Sequence, residues 1–403
     1  MTRIALFTHD AFGLGHMRRS IHIINAISKL APDASVLLIT GSSSVQMLQS
    51  LPSNADYLKI PTISTSGNRD DSPPMLNLSV IELATLRGHI TREALIAFGA
   101  DVFLVDNFPL GTRFELLPAL KSCRQFRIPA VLGMRDVLDP PKKVCRSWTR
   151  DGMYAVIERY FSRILVYGER DIFDVVKGYE LSQNIADRVR YCGYVAASKP
   201  GRDRIEEIRG QWCKGRKLIV ACVGGGGDGL PLLRCFLDAM KEVKDTDALI
   251  VTGELMSDHD RTEIARELGE NEHILLKRYV PDLADHMAAA DLVIAMAGYN
   301  TSAEILSMQV PAIVVPRTWR SGEHATRDAK SVDGEQLFRA RLLSKKALLR
   351  FIHPDDLTAA ALANEIVAEL SRTGTRLLEA VNVEGATRVA EELLDVAMKS
   401  NGT

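Results

Sequence analysis

Short apolar runs alternate with longer amphipathic stretches along almost the whole chain. In the first half the runs are RIALFT, SVLLIT, DYLKIP, DVFLVD, PAVLGM, RILVYG and RVRYCGY. Segments with helical spacing lie between them, such as Val80 to Phe98 and Phe114 to Phe126. Such alternation predicts a parallel sheet with helices on both faces. The pattern pauses from Val195 to Lys217, a charged stretch containing Pro200, Gly201 and Gly215. Its first part is expected to be a linker and its middle a short helix. A second series follows: KLIVACVGGGG, DALIVTGE, HILLKRYV, DLVIAMAG and PAIVVP. Intervening helices include LPLLRCFLDAMKEV and TSAEILSMQ, and two more follow, from Pro354 and from Glu384 to Lys399, the last with one edge in solvent.

The expected fold class is therefore α/β, with two Rossmann-like domains facing a cleft. The expected boundaries are 1–195 for the first domain, 196–215 for the linker and 216–375 for the second domain. Residues 376–403 form a terminal helical segment that can pack back on the first domain. In open α/β sheets ligands bind beyond the carboxyl ends of the strands. Residues that directly follow a strand are thus the candidates for chemistry.

Five such places stand out. After the first strand comes FGLGHMRR, where Gly13 and Gly15 allow a sharp turn and close approach to a ligand. His16 falls near the start of the next helix and can take a proton from a hydroxyl or a water. Arg18 or Arg19 can meet an anion, while His9 and His22 are expected to be structural. The second place is VGGGGDG, in which Gly224, Gly225, Gly226 and Gly227 join a strand to a helix. Their N–H groups and the helix dipole suit a phosphate, although the motif is neither GxGxxG nor a Walker loop. Asp228 is expected to point away.

The third place, AGYNTSAEIL, again follows a strand with a glycine, Gly298. Asn300, Thr301 and Ser302 can bind a diphosphate, and Glu304 can accept both hydroxyls of a ribose. Thr301 and Glu304 equally fit the spacing of a capping box. The fourth is the polar segment after Pro316, in which Glu335 and Gln336 can hold sugar hydroxyls. The fifth is a pair of strand ends, Asp106–Asn107 and Arg135–Asp136. Asp106 or Asp136 can orient His16 or meet an acceptor, and each can equally be a loop cap or ion pair.

Composition narrows the classes. The chain has 403 residues, 25% of them charged, with a formal net charge of -1, which gives no sign of a nucleic-acid partner. No apolar run approaches the roughly 18 residues of a membrane span, and His9 and Asp10 interrupt the N-terminal run before it resembles a signal peptide. A cytoplasmic location is the expectation, with a peripheral membrane contact left open. Asp71 to Leu86 can supply an acceptor or membrane-facing wall, or a core helix with a leader. The six cysteines, with no CxxC pair, are expected to be reduced thiols without a metal.

The order of these motifs resembles bacterial GT-B glycosyltransferases of the group containing the peptidoglycan N-acetylglucosaminyltransferase. GLGHMRRS is similar to the N-terminal glycine turn of that group, VGGGGDG to its second glycine loop and AGYNTSAEIL to its donor segment. The resemblance implies an inverting, metal-independent transferase that uses a UDP-sugar as substrate and no cofactor. Glu304 would hold the ribose, and Glu335 and Gln336 the sugar, where that group has two glutamines. Gly13, Gly15, Arg19, Asn107 and Arg135 would line the acceptor side, with His16 as base. Residues 318–334 look like an insertion that can act as a lid. GLGHMRR is also similar to the turn of UDP-sugar hydrolases from nonulosonic acid synthesis, so hydrolysis, or nucleotide-sugar binding without turnover, stands as the alternative.

Overall fold

A computed structural model describes residues 1–9, 15–42, 51–63, 76–213, 215–317, 334–372 and 381–401. Two compact units divide the chain. The first joins Met1–Ala196 to Glu384–Thr403, and the second is Ala197–Val383.

The first unit holds strands β1 (Arg3–Thr8), β2 (Ser35–Thr40), β3 (Ala55–Lys59), β4 (Val102–Asp106), β5 (Ala130–Arg135), β6 (Phe161–Tyr167) and β7 (Val189–Tyr191). They pair in the order β3-β2-β1-β4-β5-β6-β7, each pair parallel. The central strands are apolar along their length because helices cover both faces: all five residues of β4 are buried. Local signals set the helix ends. Ser79 and Glu82 form a reciprocal capping box at the start of helix Val80–Phe98, and Gly99 ends it in the left-handed region at φ 66°. Leu83 and Ala84 of this helix are buried while Ile81 is exposed.

The second unit repeats the plan with β8 (Lys217–Cys222), β9 (Thr246–Val251), β10 (Ile274–Lys277), β11 (Leu292–Ala295), β12 (Ala312–Val314) and β13 (Arg350–Phe351). Their order is β10-β9-β8-β11-β12-β13, again parallel. Each unit has its own apolar core, one built around Phe103, Leu132 and Val166, the other around Ile219, Phe236 and Ile294.

The second unit begins at Ala197 and ends at Val383, so it takes in the stretch read as a linker with a short helix. Residues 196–215 contain helix Arg202–Trp212, which belongs to the second unit. Arg209 there donates to the Ala289 carbonyl at 2.6 Å and pairs with Asp291 at 3.1 Å, so the stretch is anchored rather than free. Helix Gly385–Asn401 lies against helix Gly15–Leu30 in the first unit. Val389, Leu393 and Val396 are buried, and Arg163 of β6 pairs with Glu392 and Asp395. All six cysteines are free thiols. Among the described residues no helix is long and apolar enough to cross a membrane.

Candidate functional site

In each sheet the strand order reverses beside the first strand, between β1 and β4 and between β8 and β11. A crevice for ligands opens at such a switch, where successive loops leave in opposite directions. The candidate residues cluster at these two places.

In the first unit Thr8 and Asp106, the last residues of β1 and β4, are register partners. Helix Gly15–Leu30 begins above them, and His16 and Arg19, three positions apart, share its inner face. Asp106 Oδ2 lies 2.7 Å from His16 Nδ1. Arg19 donates to both carboxylate oxygens, at 3.1 Å from Nε and 2.6 Å from Nη2. All three side chains are buried. The Arg19 guanidinium also lies 5.3 Å over the ring of Tyr167, which packs where β5 carries Gly133. A Cβ on that glycine would fall 1.8 Å from the tyrosine hydroxyl, so only glycine leaves room.

Charge decides the imidazole's tautomer. Burial pushes the Asp106 carboxyl upward, but Arg19 and the His16 hydrogen bond outweigh it and hold the group well below the usual carboxylate range. An ionised Asp106 only accepts, so His16 Nδ1 carries the proton and donates it. Arg19 Nη2 is also 2.8 Å from Nδ1, but a guanidinium only donates, and that approach is a close contact rather than a hydrogen bond. Nε2 is left unprotonated. Burial lowers the His16 pKa more than Asp106 raises it, so the ring is neutral near pH 7.

Asp106 rather than Asp136 therefore orients His16. Asp136 Oδ1 accepts from the Val137 N–H at 2.6 Å, and Oδ2 from the Tyr194 hydroxyl at 3.3 Å. Through these two bonds that carboxylate meets its own loop and Tyr194 rather than His16. Arg135 Nε reaches Asn107 Oδ1 at 3.4 Å, so these two cleft candidates do meet. Gly15 opens the helix, while Gly13 lies outside the described residues.

In the second unit the glycine loop after β8 and the turn after β11 follow register partners, Cys222 and Ala295. The N–H groups of Gly226 and Gly229 close turns onto Val223 and Gly226 at 3.1 and 3.2 Å. Those of Gly224, Gly225 and Gly227 have no partner among the described residues. Gly226 has φ 94°, and a Cβ there would sit 2.0 Å from the Thr252 carbonyl oxygen. Asp228 turns to Arg317, which neutralises it.

Helix Tyr299–Met308 starts directly from Gly298 with no side-chain cap. Its first intrahelical bond of this kind runs from Ser302 N to Gly298 O at 2.9 Å, leaving the N–H groups of Asn300 and Thr301 to a ligand or solvent. Thr301 does not cap this helix, as the capping-box alternative would require, because Gly298 starts the helix before it. Glu304 is buried in the second turn, and Ser302 Oγ is buried without a partner.

Glu335 and Gln336 open helix Glu335–Lys345 but differ in situation. Gln336 Oε1 accepts from the Arg317 N–H at 2.9 Å, and its Nε2 lies 3.9 Å from where a Cβ of Gly298 would be. Glu335 pairs at 2.8 Å with Arg339, which also donates to the Ala297 carbonyl at 3.1 Å and lies 5.7 Å over Tyr299. The expected sugar-holding pair is thus one amide facing the turn and one carboxylate held by a buried arginine. Arg339 was missed, although its spacing of four from Glu335 is a readable ion-pair signal. The proposed lid at 318–334 lies, apart from Gly334, outside the described residues.

Residues 220–376 match the glycosyltransferase family 28 C-terminal domain. Over 208 residues the chain is 27% identical to the UDP-N-acetylglucosamine--N-acetylmuramyl-(pentapeptide) pyrophosphoryl-undecaprenol N-acetylglucosamine transferase of Bacillus cytotoxicus. That alignment covers 47% of this chain and 54% of the relative, so the chain spans about half the length of that enzyme. The enzyme of the same name from Phocaeicola vulgatus is 23% identical over 402 residues, 96% of each chain. Among solved structures, MurG of Acinetobacter baumannii superposes with a TM-score of 0.56 at 13% identity, covering 100% of both chains. The UDP-GlcNAc 2-epimerase of Neisseria meningitidis, bound to UDP-GlcNAc, gives 0.62 at 11% identity, covering 99% of this chain and 100% of that one. At these identities the solved structures establish the fold, which is that of the GT-B glycosyltransferases.

Proposed function

We infer that this chain, which resembles the bacterial GT-B glycosyltransferases and carries a family 28 C-terminal domain, transfers a sugar from a UDP-sugar to an acceptor hydroxyl. One observation carries the reading: the family match at 220–376 takes in both ligand-facing turns at the β8/β11 switch. The names of the relatives supply the donor class, because both act on UDP-N-acetylglucosamine.

The chemistry follows from the groups present. The free N–H groups of Gly224, Gly225 and Gly227, with those of Asn300 and Thr301 at the start of helix Tyr299–Met308, hold the diphosphate. They are fixed before the reaction begins, so they stabilise the charge that grows as the sugar–phosphate bond breaks, with no metal ion required. Glu304 accepts the two ribose hydroxyls, and Gln336 reaches the sugar. His16 Nε2 takes the proton from the acceptor hydroxyl as its oxygen bonds to the anomeric carbon and the nucleoside diphosphate leaves. A single displacement of this kind inverts that carbon. Asp106 keeps the imidazole in the proton-accepting tautomer, the part a buried carboxylate plays beside any histidine base.

Two substitutions separate the parts. His16→Ala should abolish release of UDP from a UDP-sugar while UDP affinity, measured by calorimetric titration, stays within about twofold. Glu304→Ala should weaken UDP binding about tenfold, the loss of roughly 1.4 kcal/mol. Full turnover in the first variant, or unchanged affinity in the second, contradicts the assignment.

A further inference from the structure

Two side chains at the switch of the first sheet take no part in the mechanism above. His9 and Asn107 are the first residues past β1 and β4. His9 Nδ1 and Asn107 Nδ2 are both buried and without a hydrogen-bond partner. An unpaired buried polar group costs about 1–3 kcal/mol, and such groups persist where a ligand supplies the missing bond.

Both groups are held in place by other contacts. Asn107 adopts a left-handed backbone at φ 77°, uncommon for a residue with a side chain and best tolerated by asparagine and aspartate. Its N–H is bonded to the Gly133 carbonyl at 2.8 Å and its Oδ1 to Arg135, so the amide is fixed with its nitrogen left over. The His9 ring packs against Phe108 at 4.5 Å and meets the His16 ring edge-to-face at 5.9 Å. Burial, with unfavourable electrostatic interaction from His16, Arg87 and Arg135, pushes its pKa down to about 3 against the pull of Asp106. The ring therefore brings no charge to the site.

A neutral imidazole and a primary amide match a hydroxyl, which both donates and accepts. A phosphate or carboxylate only accepts at neutral pH and calls for charged donors. A hydrocarbon would leave both groups unpaired. The neighbouring His16 sets where that hydroxyl sits: beside the one being activated. We propose that His9 and Asn107 form an acceptor subsite that binds a second hydroxyl of a polyhydroxylated acceptor, a sugar or sugar-like polyol. The subsite rests on the glycosyltransferase reading only in naming the ligand an acceptor.

Saturation-transfer NMR on the full chain, with UDP, methyl hexopyranosides and n-propanol together, tests the subsite directly. Wild type should saturate the glycosides and not the propanol. His9→Phe, which keeps the ring stack, and Asn107→Gly, which suits the left-handed backbone, should each weaken glycoside binding about five- to tenfold. UDP signals should be unchanged in both variants. Octyl glycosides run alongside separate a lipid-borne sugar, bound tighter than the methyl form, from a free one, bound equally, and the variants should lose either. No glycoside saturation in wild type, or equal saturation in both variants, overturns the subsite. Failure of UDP alone to saturate overturns the donor reading and leaves the subsite standing.

Discussion

At the scale of single residues, Asp106 has two tasks that substitutions can pull apart. It sets the His16 tautomer and it balances the buried charge of Arg19. Asp106→Asn keeps the shape but can donate to Nδ1, which favours the wrong tautomer. We expect kcat to fall about 10²–10⁴-fold with UDP affinity intact, as measured by steady-state kinetics and titration. Asp106→Ala removes the partner altogether and strands a guanidinium in the core. That should cost about 3–5 kcal/mol, read from urea unfolding. The same residues set the response to acid. His9 and His16 have pKa values lowered from 6.5, so below that pH the unfolded chain binds protons that the folded chain refuses. Stability should fall as pH drops from about 6.5 towards about 3. Asp106, held low, adds to the loss only once pH falls below about 4, the ordinary range of a carboxylate. Urea midpoints at pH 7, 5.5 and 4 check this, and His9→Phe should flatten the decline.

At the scale of elements, the two glycine turns form the proposed donor site, and the strain in the first of them is unevenly placed. Gly226 combines φ 94° with a carbonyl oxygen 2.0 Å from any Cβ, whereas Gly224 has φ 61° and open space. Gly226→Ala should displace the Thr252 loop and weaken UDP binding by at least tenfold. Gly224→Ala should cost only the backbone penalty, about 1–2 kcal/mol of stability. Equal effects on UDP affinity would mean the loop is not held by Thr252. These turns were legible in the sequence because a glycine after an apolar run is a strong local signal. So were the central strands, whose continuous apolar runs follow from burial on both faces. Strand β13 was not: two residues, Arg350 and Phe351, are too few to show any period. The start of helix Tyr299–Met308 was misplaced for a different reason. Gly298 opens it without a side-chain cap, while Thr301 and Glu304 mimic a box they do not form. The Arg317–Asp228 pair joins residues far apart in the chain and leaves no spacing to read.

At the scale of the whole molecule, the chain completes its first unit with its last helix. Gly385–Asn401 buries Val389, Leu393 and Val396 on that unit, each worth about 1.5–3 kcal/mol. A chain ending at Val383 should therefore lose much of the stability of the first unit and little of the second. Scanning calorimetry should show the first unit's transition lowered or absent and the second retained. If both transitions survive unchanged, the last helix is an ornament on the first unit. The domain order read from the sequence located the two sheets. It placed a short helix in the stretch between them but did not attach helix Arg202–Trp212 to the second unit, because the ion-pair partners fixing that helix lie well outside its own sequence. The central claim, a UDP-sugar site in the second unit, is tested most directly by thermal unfolding with UDP, ADP, GDP and CDP in turn. UDP at about one hundred times its dissociation constant should add about 2.7 kcal/mol to the second unit, and the other nucleotides less. Equal stabilisation by all four would remove the uridine assignment, and no stabilisation by any would contradict the donor site itself.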